Sequence, residues 1–62
     1  KPVKLGDVTS LPIENITEKG DGVAKVDGYV IFIRGATAED VNKTIQFKIL
    51  EIHRKFAVAE KI

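Results

Sequence analysis

The feature that most constrains this chain is an Asp-Gly pair between two runs of strand-forming residues. Asp27 and Gly28 separate residues 23–26 from residues 29–33, and both runs are rich in β-branched and aromatic side chains. A two-residue hairpin turn needs positive φ at both positions, which Asp-Gly provides at little cost. The turn also fixes the register of the two strands. The predicted partners are Val26 with Tyr29, Lys25 with Val30, Ala24 with Ile31 and Val23 with Phe32.

Alternation along this hairpin sorts its side chains onto the two faces of a sheet. One face is largely apolar and is the better core; it holds Ala24, Val26, Tyr29, Ile31 and Ile33. The other face is mixed; it holds Val23, Lys25, Val30, Phe32 and Arg34. The register therefore predicts that Phe32 lies on the solvent side of the sheet, with Lys25 and Arg34 nearby.

The rest of the chain predicts further strands and very little helix. Residues 8–16 read as a first strand, in which Pro12 needs an edge position or a bulge because proline has no amide hydrogen. Residues 17–22 form a polar loop, and residues 35–42 allow one short helical turn with Thr37 as its cap. Residues 43–52 form a long strand whose apolar alternation changes phase at Leu50, which indicates a bulge or a bend.

The last strand is predicted over residues 56–61, after a two-residue turn at Arg54 and Lys55. The expected pairs are His53 with Phe56, Ile52 with Ala57, Glu51 with Val58 and Leu50 with Ala59. In this register Leu50 faces the core, together with Ile52 and the two alanines. Phe56 then lies on the solvent side of the sheet, beside His53 and the two basic turn residues.

Together these elements predict an all-β chain that forms a small five-stranded antiparallel barrel with at most one short helical turn. Closure of the sheet removes the exposed edges that a small open sheet would present. We expect residues 1–62 to form a single domain, given the length of 62 residues. The longest apolar run has five residues, which excludes a transmembrane helix, and we predict no membrane partner.

The sequence contains few residues that could support catalysis or bind a metal ion. There is no cysteine and there is one histidine, His53; nothing in the sequence places the lone serine, Ser10, beside it. A single histidine with scattered carboxylates does not supply the ligand cluster that a metal ion needs. The Gly20–Gly22 segment lacks the third glycine of a dinucleotide fingerprint and is read as a turn. We therefore predict no enzyme, no metal site and no cofactor.

What remains is a surface that carries two aromatic rings and several cations. The side chains predicted on outward faces or turns are Lys25, Phe32, Arg34, His53, Arg54, Lys55 and Phe56. The bases of single-stranded nucleic acid stack on such rings, while cations meet the phosphates. The alternative is that loops cover both phenylalanines and that the cations only aid solubility. A formal net charge of only +1 favours this alternative.

Over nearly its whole length the chain resembles a TRAM domain. The resemblance rests on an ordered set of segments: IENI at 13–16, KGDGVAKV at 19–26, GYVIFI at 28–33, RGA at 34–36, Val41, the strand through Ile45 and Phe47, and FAVAE at 56–60. TRAM domains are similar to OB-type five-stranded barrels and bind RNA. They occur as parts of tRNA-modifying methyltransferases and methylthiotransferases, and as small free-standing archaeal proteins that resemble cold-shock RNA chaperones.

The resemblance implies an OB-like barrel that binds RNA through an exposed aromatic and basic face. Phe32 and Phe56 match the aromatic positions of the family, and Arg34, Arg54 and Lys55 sit beside them; Lys25 and His53 are further candidates. We expect a monomeric, cytoplasmic RNA chaperone, or a binder of single-stranded, tRNA-like or other structured RNA, that uses no cofactor. Two alternatives stay open: an RNA-targeting domain cut from a tRNA-modifying enzyme, and an SH3-like barrel that binds protein partners.

Overall fold

A computed structural model describes all 62 residues of the protein. The strands are β1 (Val8–Pro12), β2 (Asn15–Ile16), β3 (Gly22–Val26), β4 (Tyr29–Arg34), β5 (Thr44–Ile52) and β6 (Phe56–Lys61). A single 3₁₀ turn at Ala38–Asp40, with Thr37 at its N-cap position, follows β4. The six strands form one curled sheet in the order β1-β5-β6-β4-β3-β2, which confirms the predicted all-β, barrel-like class. No helix has the length and apolar character that crossing a membrane requires.

The β3–β4 hairpin has the register that its Asp-Gly turn predicts. Asp27 and Gly28 have φ values of 51° and 79°, as this turn type needs. All four predicted residue pairs are present. The inward face of the hairpin is buried or half-buried, whereas on the outward face Phe32 is half-buried and both Lys25 and Arg34 are exposed.

The predicted first strand is interrupted at Ile13 and Glu14, which gives six strands instead of five. Its two parts, β1 and β2, lie at opposite edges of the sheet, so the sheet curls until its edges approach each other. Ile13 is fully buried at this join. Its N–H donates to the carbonyl of Lys43 at 3.0 Å, and its carbonyl accepts from the N–H of Asn42 at 2.7 Å. Pro12 ends the edge strand β1, in keeping with the prediction.

One strand pairing departs from the antiparallel arrangement predicted from the sequence. Strands β4 and β6 run parallel, with Val30 opposite Phe56 and Phe32 opposite Val58. Residues 35–43, which include the 3₁₀ turn, carry the chain away from β4 before β5 begins. The β5–β6 hairpin then returns β6 into the space between β5 and β4. The crossover was not visible in the sequence because no local turn signal fixes where β5 pairs.

The β5–β6 hairpin contains the predicted bulge but differs from the predicted register beyond it. The predicted pairs of Ile52 with Ala57 and of Glu51 with Val58 are present, whereas Ala59 pairs with Ile49 and not with Leu50. Leu50 is the extra residue of the bulge, and it is 37% exposed. Its predicted place in the core is therefore wrong, because a bulge takes its extra residue out of the paired ladder and turns its side chain away.

The core lies on the concave side of the curled sheet. Its largest fully buried side chains are Phe47, Ile13, Ile31, Ile33 and Ile49. Burying an aliphatic or aromatic side chain of this size contributes about 1.5–3 kcal/mol. In β4, β6 and the part of β5 before its bulge, buried residues alternate with more exposed ones, so the inner packing fixes which of these side chains point outward. In β3 the first three residues, Gly22, Val23 and Ala24, are all buried.

Candidate nucleic-acid interface

The outward faces of β4 and β6 carry four apolar side chains where alternation would ordinarily place polar ones. They are Val30 and Phe32 on β4, and Phe56 and Val58 on β6. The parallel pairing sets each β4 residue opposite one from β6, so the four form a compact block, here called the apolar platform. All four are half-buried. They cover one another only in part, which leaves ring and methyl surface in contact with solvent.

The aromatic rings at the platform form a connected series. The ring of Phe32 meets that of Phe56 edge-on, with centroids 5.6 Å apart and planes at 70°. On the other side of Phe56, His53 stacks nearly parallel to it, with centroids 4.6 Å apart and planes at 24°. The Nε2 atom of His53 lies 2.9 Å from a carboxylate oxygen of Glu51. Edge-on and offset-stacked contacts are both favourable aromatic arrangements, so each ring helps to fix its neighbour.

The turn that carries His53 is tied to the opposite hairpin by the buried Tyr29. The hydroxyl oxygen of Tyr29 lies 2.6 Å from the carbonyl oxygens of both His53 and Phe56, and its one hydrogen is shared between these two acceptors. The N–H of His53 also donates to the carbonyl of Phe56 at 2.8 Å. These contacts close the predicted two-residue turn, although neither Arg54 nor Lys55 has positive φ.

The loop between β2 and β3 forms a wall beside the platform. Together with Phe32 and Phe56, its residues line an open groove of about 500 Å³; the loop residues are Thr17, Glu18, Lys19 and Asp21. Within the loop, the N–H of Thr17 donates to the Asp21 carbonyl at 2.8 Å, and the N–H of Asp21 donates to Thr17 Oγ1 at 3.1 Å. Gly20 adopts φ +93°, a conformation that side-chain-bearing residues rarely take.

The predicted basic residues surround the platform without lining the groove. Arg34 is exposed at the end of β4, opposite Glu60 of β6. Arg54 and Lys55 are exposed in the β5–β6 turn, and none of these three cations forms an ion pair within the protein. Lys25 is also exposed, but its amino group lies 3.8 Å from a carboxylate oxygen of Glu14. Such an exposed pair contributes little to stability and leaves Lys25 available to other anions.

The structure therefore brings together part of the predicted set and adds a segment that was not predicted. The rings of Phe32, Phe56 and His53 are in contact. The four predicted cations lie around the platform: Lys25, Arg34, Arg54 and Lys55. The sequence predicts the residues of this wall, 17–21, only as part of a polar loop that contains a turn. A signal was present: a polar, glycine-containing loop enters β3, and β3 lies next to the strand that carries Phe32. This signal identifies a groove wall only once β6 is known to pair with β4, because that pairing places Phe56 beside Phe32.

The serine and the histidine of the sequence do not form a catalytic pair. Ser10 lies opposite Gln46 near the start of β5, whereas His53 follows Ile52 at the end of that strand. Gln46 and His53 are seven positions apart along this strand, a distance on the order of 20 Å at a rise of roughly 3.3 Å per residue. The nucleophile and its base would have to lie within hydrogen-bonding distance to act together.

The one carboxyl group with a clearly shifted pKa lies outside the groove. Asp40 accepts a hydrogen bond from the N–H of Thr37 at 2.9 Å, and the amino group of Lys61 lies 3.0 and 3.2 Å from its two oxygens. The Thr37 N–H, followed by Lys61 and the more distant Lys43, lowers the pKa of Asp40 against the opposing effect of burial. This pair fastens the 3₁₀ turn to the end of β6.

Comparison with known proteins identifies relatives along the whole chain. A TRAM domain profile matches residues 2–62. An uncharacterized protein of Methanocaldococcus jannaschii is 39% identical over 61 residues, which cover 98% of this chain and 75% of that protein. The solution structure of a conserved protein of Methanococcus maripaludis matches with a TM-score of 0.86 and 34% identity, covering 100% of this chain and 84% of that one.

A second kind of relative is a much longer enzyme. The ribosomal RNA large subunit methyltransferase E of Natronomonas pharaonis is 38% identical over 61 residues, which are 98% of this chain but 23% of that protein. The chain thus spans less than a quarter of this methyltransferase.

Proposed function

The chain belongs to the TRAM domain family, and from this membership we propose that it binds RNA through the apolar platform and the groove beside it. The family and the relationship to a ribosomal RNA methyltransferase both support an RNA partner. The observation that carries the proposal is the half-exposed pair of Phe32 and Phe56. An unpaired base that stacks on such a ring gains about 1–3 kcal/mol, and stacking tolerates every base.

The charges around the platform support the same function. Arg34, Arg54 and Lys55 form no ion pair within the protein, so they can meet phosphates without breaking an existing contact. Because the net charge is only +1, the attraction is local and we expect moderate affinity that falls as salt rises. Binding of this kind suits a protein that must also release its RNA.

The finer proposal is that the chain acts as a small RNA chaperone. It would hold unpaired bases on the platform, and neither ATP nor a cofactor is needed for that action. We propose that residues 1–62 act as one binding unit, as a monomer, and that the chain carries no catalytic step. A cytoplasmic location is proposed because of the RNA partner alone.

A second candidate is a targeting role within a larger RNA-modifying enzyme. The observation that favours it is the match to less than a quarter of a ribosomal RNA methyltransferase. In such a setting the platform would bind RNA in the same way, and a separate domain would carry the chemistry. The length of the full gene product distinguishes this role from that of a free-standing protein.

The experiment is a titration of isotope-labelled protein with a mixed-sequence single-stranded RNA octamer, followed by NMR at low and moderate salt. We expect salt-sensitive shifts at Phe32, Arg34, Arg54, Lys55 and Phe56. The variants Phe32→Ala and Phe56→Ala should each weaken binding by about fivefold or more, the equivalent of one lost stacking contact. Their spectra should stay dispersed, because both rings lie on the convex face.

Leu50→Ala is the matched control, since it removes an exposed apolar side chain outside the platform. It should bind RNA as the parent protein does. The proposal fails if the octamer causes no shifts even at low salt, or if both phenylalanine variants are folded and bind with unchanged affinity. In the first case, shifts caused by a proline-rich peptide would favour the SH3-like alternative.

A further inference from the structure

The groove beside the platform combines an aromatic floor with a wall rich in hydrogen-bond acceptors. Phe32 and Phe56 supply the floor, and the wall includes two residues that bear carboxylates, Glu18 and Asp21, with Lys19 between them in the chain. Neither carboxylate takes part in any side-chain hydrogen bond or ion pair within the protein. The wall therefore offers unengaged acceptors next to rings on which a flat ligand could stack.

Carboxylates of this kind are unsuited to phosphate. They repel it, and of the cations without an ion pair only Lys19 lines the groove, whereas Arg34, Arg54 and Lys55 lie outside it. They are well suited to the edge of a nucleobase, because an ionised carboxylate only accepts hydrogen bonds. Cytosine presents an N4 amino donor, and acidic side chains accept from it, whereas uracil presents the O4 acceptor at the same place.

We propose that the groove selects unpaired bases that carry an exocyclic amino group, and that it discriminates against uracil. The inference rests on the proposed function, since it assigns a base preference to the same surface. A base would stack against Phe32 or Phe56 while its amino group donates to the carboxylate of Glu18 or Asp21. Phosphates would lie outside the groove, near Arg34, Arg54 and Lys55. Stacking alone accepts every base, so the wall is the part of the site that provides selectivity.

The wall is held in place before any ligand arrives. Thr17 and Asp21 are joined by two hydrogen bonds, and the N–H of Gly20 donates to the Thr17 carbonyl at 2.9 Å. The loop continues directly into β3, whose pairing with β4 is fixed by the Asp-Gly turn. A preorganised wall loses less conformational entropy on binding than a mobile loop would, so its acceptors can contribute to selectivity.

The test compares the affinities of the whole protein for two RNA octamers, oligo(C) and oligo(U), which differ at the base edge but share the pyrimidine ring and the backbone. We expect oligo(C) to bind more tightly by about fivefold, the lower end of discrimination by a base-edge contact. The variants Asp21→Asn and Glu18→Gln keep the side-chain shape and add an amide donor that uracil can use. The ratio of the two affinities should fall toward one in at least one of them.

Matched controls separate this effect from the general gain in affinity that follows removal of a negative charge. Asp27→Asn and Glu39→Gln make the same chemical changes outside the groove, and Asn is compatible with the positive φ at position 27. Both controls should keep the parent ratio. Because the charge effect acts on both octamers alike, it cancels in the ratio.

The outcomes distinguish the two proposals. Equal binding of oligo(C) and oligo(U) by the parent protein would overturn the base preference while RNA binding stands. A preference that persists in both groove variants would also overturn it, since the carboxylates would then not be its source. Failure of both octamers to bind at low salt would reject the proposed function as well as the preference.

Discussion

Strands β4 and β6 carry apolar side chains on both faces, but the two faces bury them to different extents. On the concave side Ile31 and Ile33 of β4 are fully buried. On the convex side Phe32 and Phe56 are half-buried and meet solvent. Apolar character alone therefore does not distinguish core from surface in a chain this small. In β4 and β6 position in the strand register does, because each step along a strand moves the side chain to the other face.

The three phenylalanines of the chain illustrate the difference. Phe47 is fully enclosed, whereas Phe32 and Phe56 border an open groove. An enclosed ring contributes its whole transfer free energy to stability. A ring at a groove contributes less to stability and keeps surface that a stacked base can cover. The same residue type therefore serves folding on one face and, in our proposal, binding on the other.

The largest expected effect is that of Phe47→Ala on stability. Removal of a buried phenylalanine costs about 3–5 kcal/mol, which equals the entire net stability of about 3–5 kcal/mol that a core of this size supplies. We expect this variant to be largely unfolded at 25 °C by circular dichroism. Phe32→Ala should retain a cooperative urea transition. Similar transition midpoints for the two variants would contradict the assignment of the two rings to different faces.

Gly22→Ala is expected to have the next largest effect, and it tests the inner face at a position without a side chain. A Cβ atom at residue 22 would lie 2.7 Å from the Cβ of Ala36, which is closer than real side chains approach. Overpacking of this kind costs about 1–3 kcal/mol. Urea denaturation measures the loss.

The double variant with Ala36→Gly is the control for this effect, because it removes the second atom of the clash. It should recover part of the lost stability. A single Gly22→Ala variant as stable as the parent would show that the start of β3 can move. In that case the adjoining wall of the groove would be less firmly held than the contacts of Thr17 and Asp21 indicate.

The features that could be predicted well are those that depend on residues adjacent in the sequence. Asp27 and Gly28 determine one hairpin because both accept positive φ. The phase change at Leu50 signals a bulge, but it does not identify which residue leaves the ladder. Alternation alone is equally consistent with Leu50 or its neighbour as the extra residue, and only packing against β6 decides between them.

The features that the sequence did not predict depend on contacts between distant segments. The parallel pairing of β4 with β6 follows from the path of residues 35–43, which contain no strong turn signal. The groove depends on that pairing, because it brings Phe56 beside Phe32 and both beside the loop at 17–21. The aromatic residues of the site were therefore predictable one by one from their registers, whereas its polar wall was not.

A smaller effect is expected for Tyr29→Phe. Tyr29 connects the two faces of the sheet. The ring of Tyr29 belongs to the buried face, while its hydroxyl holds the carbonyls of His53 and Phe56 at 2.6 Å. Loss of one hydrogen bond costs about 1 kcal/mol. We expect this decrease in the free energy of unfolding, together with faster hydrogen exchange at the His53 amide. Unchanged exchange there would show that the turn is fixed by the backbone bond to Phe56 alone.

The smallest effect is expected at Asp40, which contrasts with the carboxylates of the groove. Glu18 and Asp21 have no side-chain partner, whereas Asp40 accepts from Thr37 and Lys61, and these contacts lower its pKa in the folded protein. An unfolded chain would have the ordinary value of roughly 3.9. A lowered pKa means that the unfolded state binds the proton more readily, so the contribution to stability is present above pH 4.

That contribution should disappear as the pH falls from about 4 through the folded pKa, because protonation removes the charge that Lys61 and the Thr37 N–H stabilise. The measurement is urea denaturation between pH 7 and pH 2, with Asp40→Asn as the comparison. The variant should be less stable than the parent at pH 7, and the difference should shrink toward low pH. A difference that stays constant across this range would mean that the substitution lowers stability through altered shape and packing and not through loss of the charge. Asp40 would then differ from Glu18 and Asp21 only in having hydrogen-bond partners, and not in a charge that stabilises the fold.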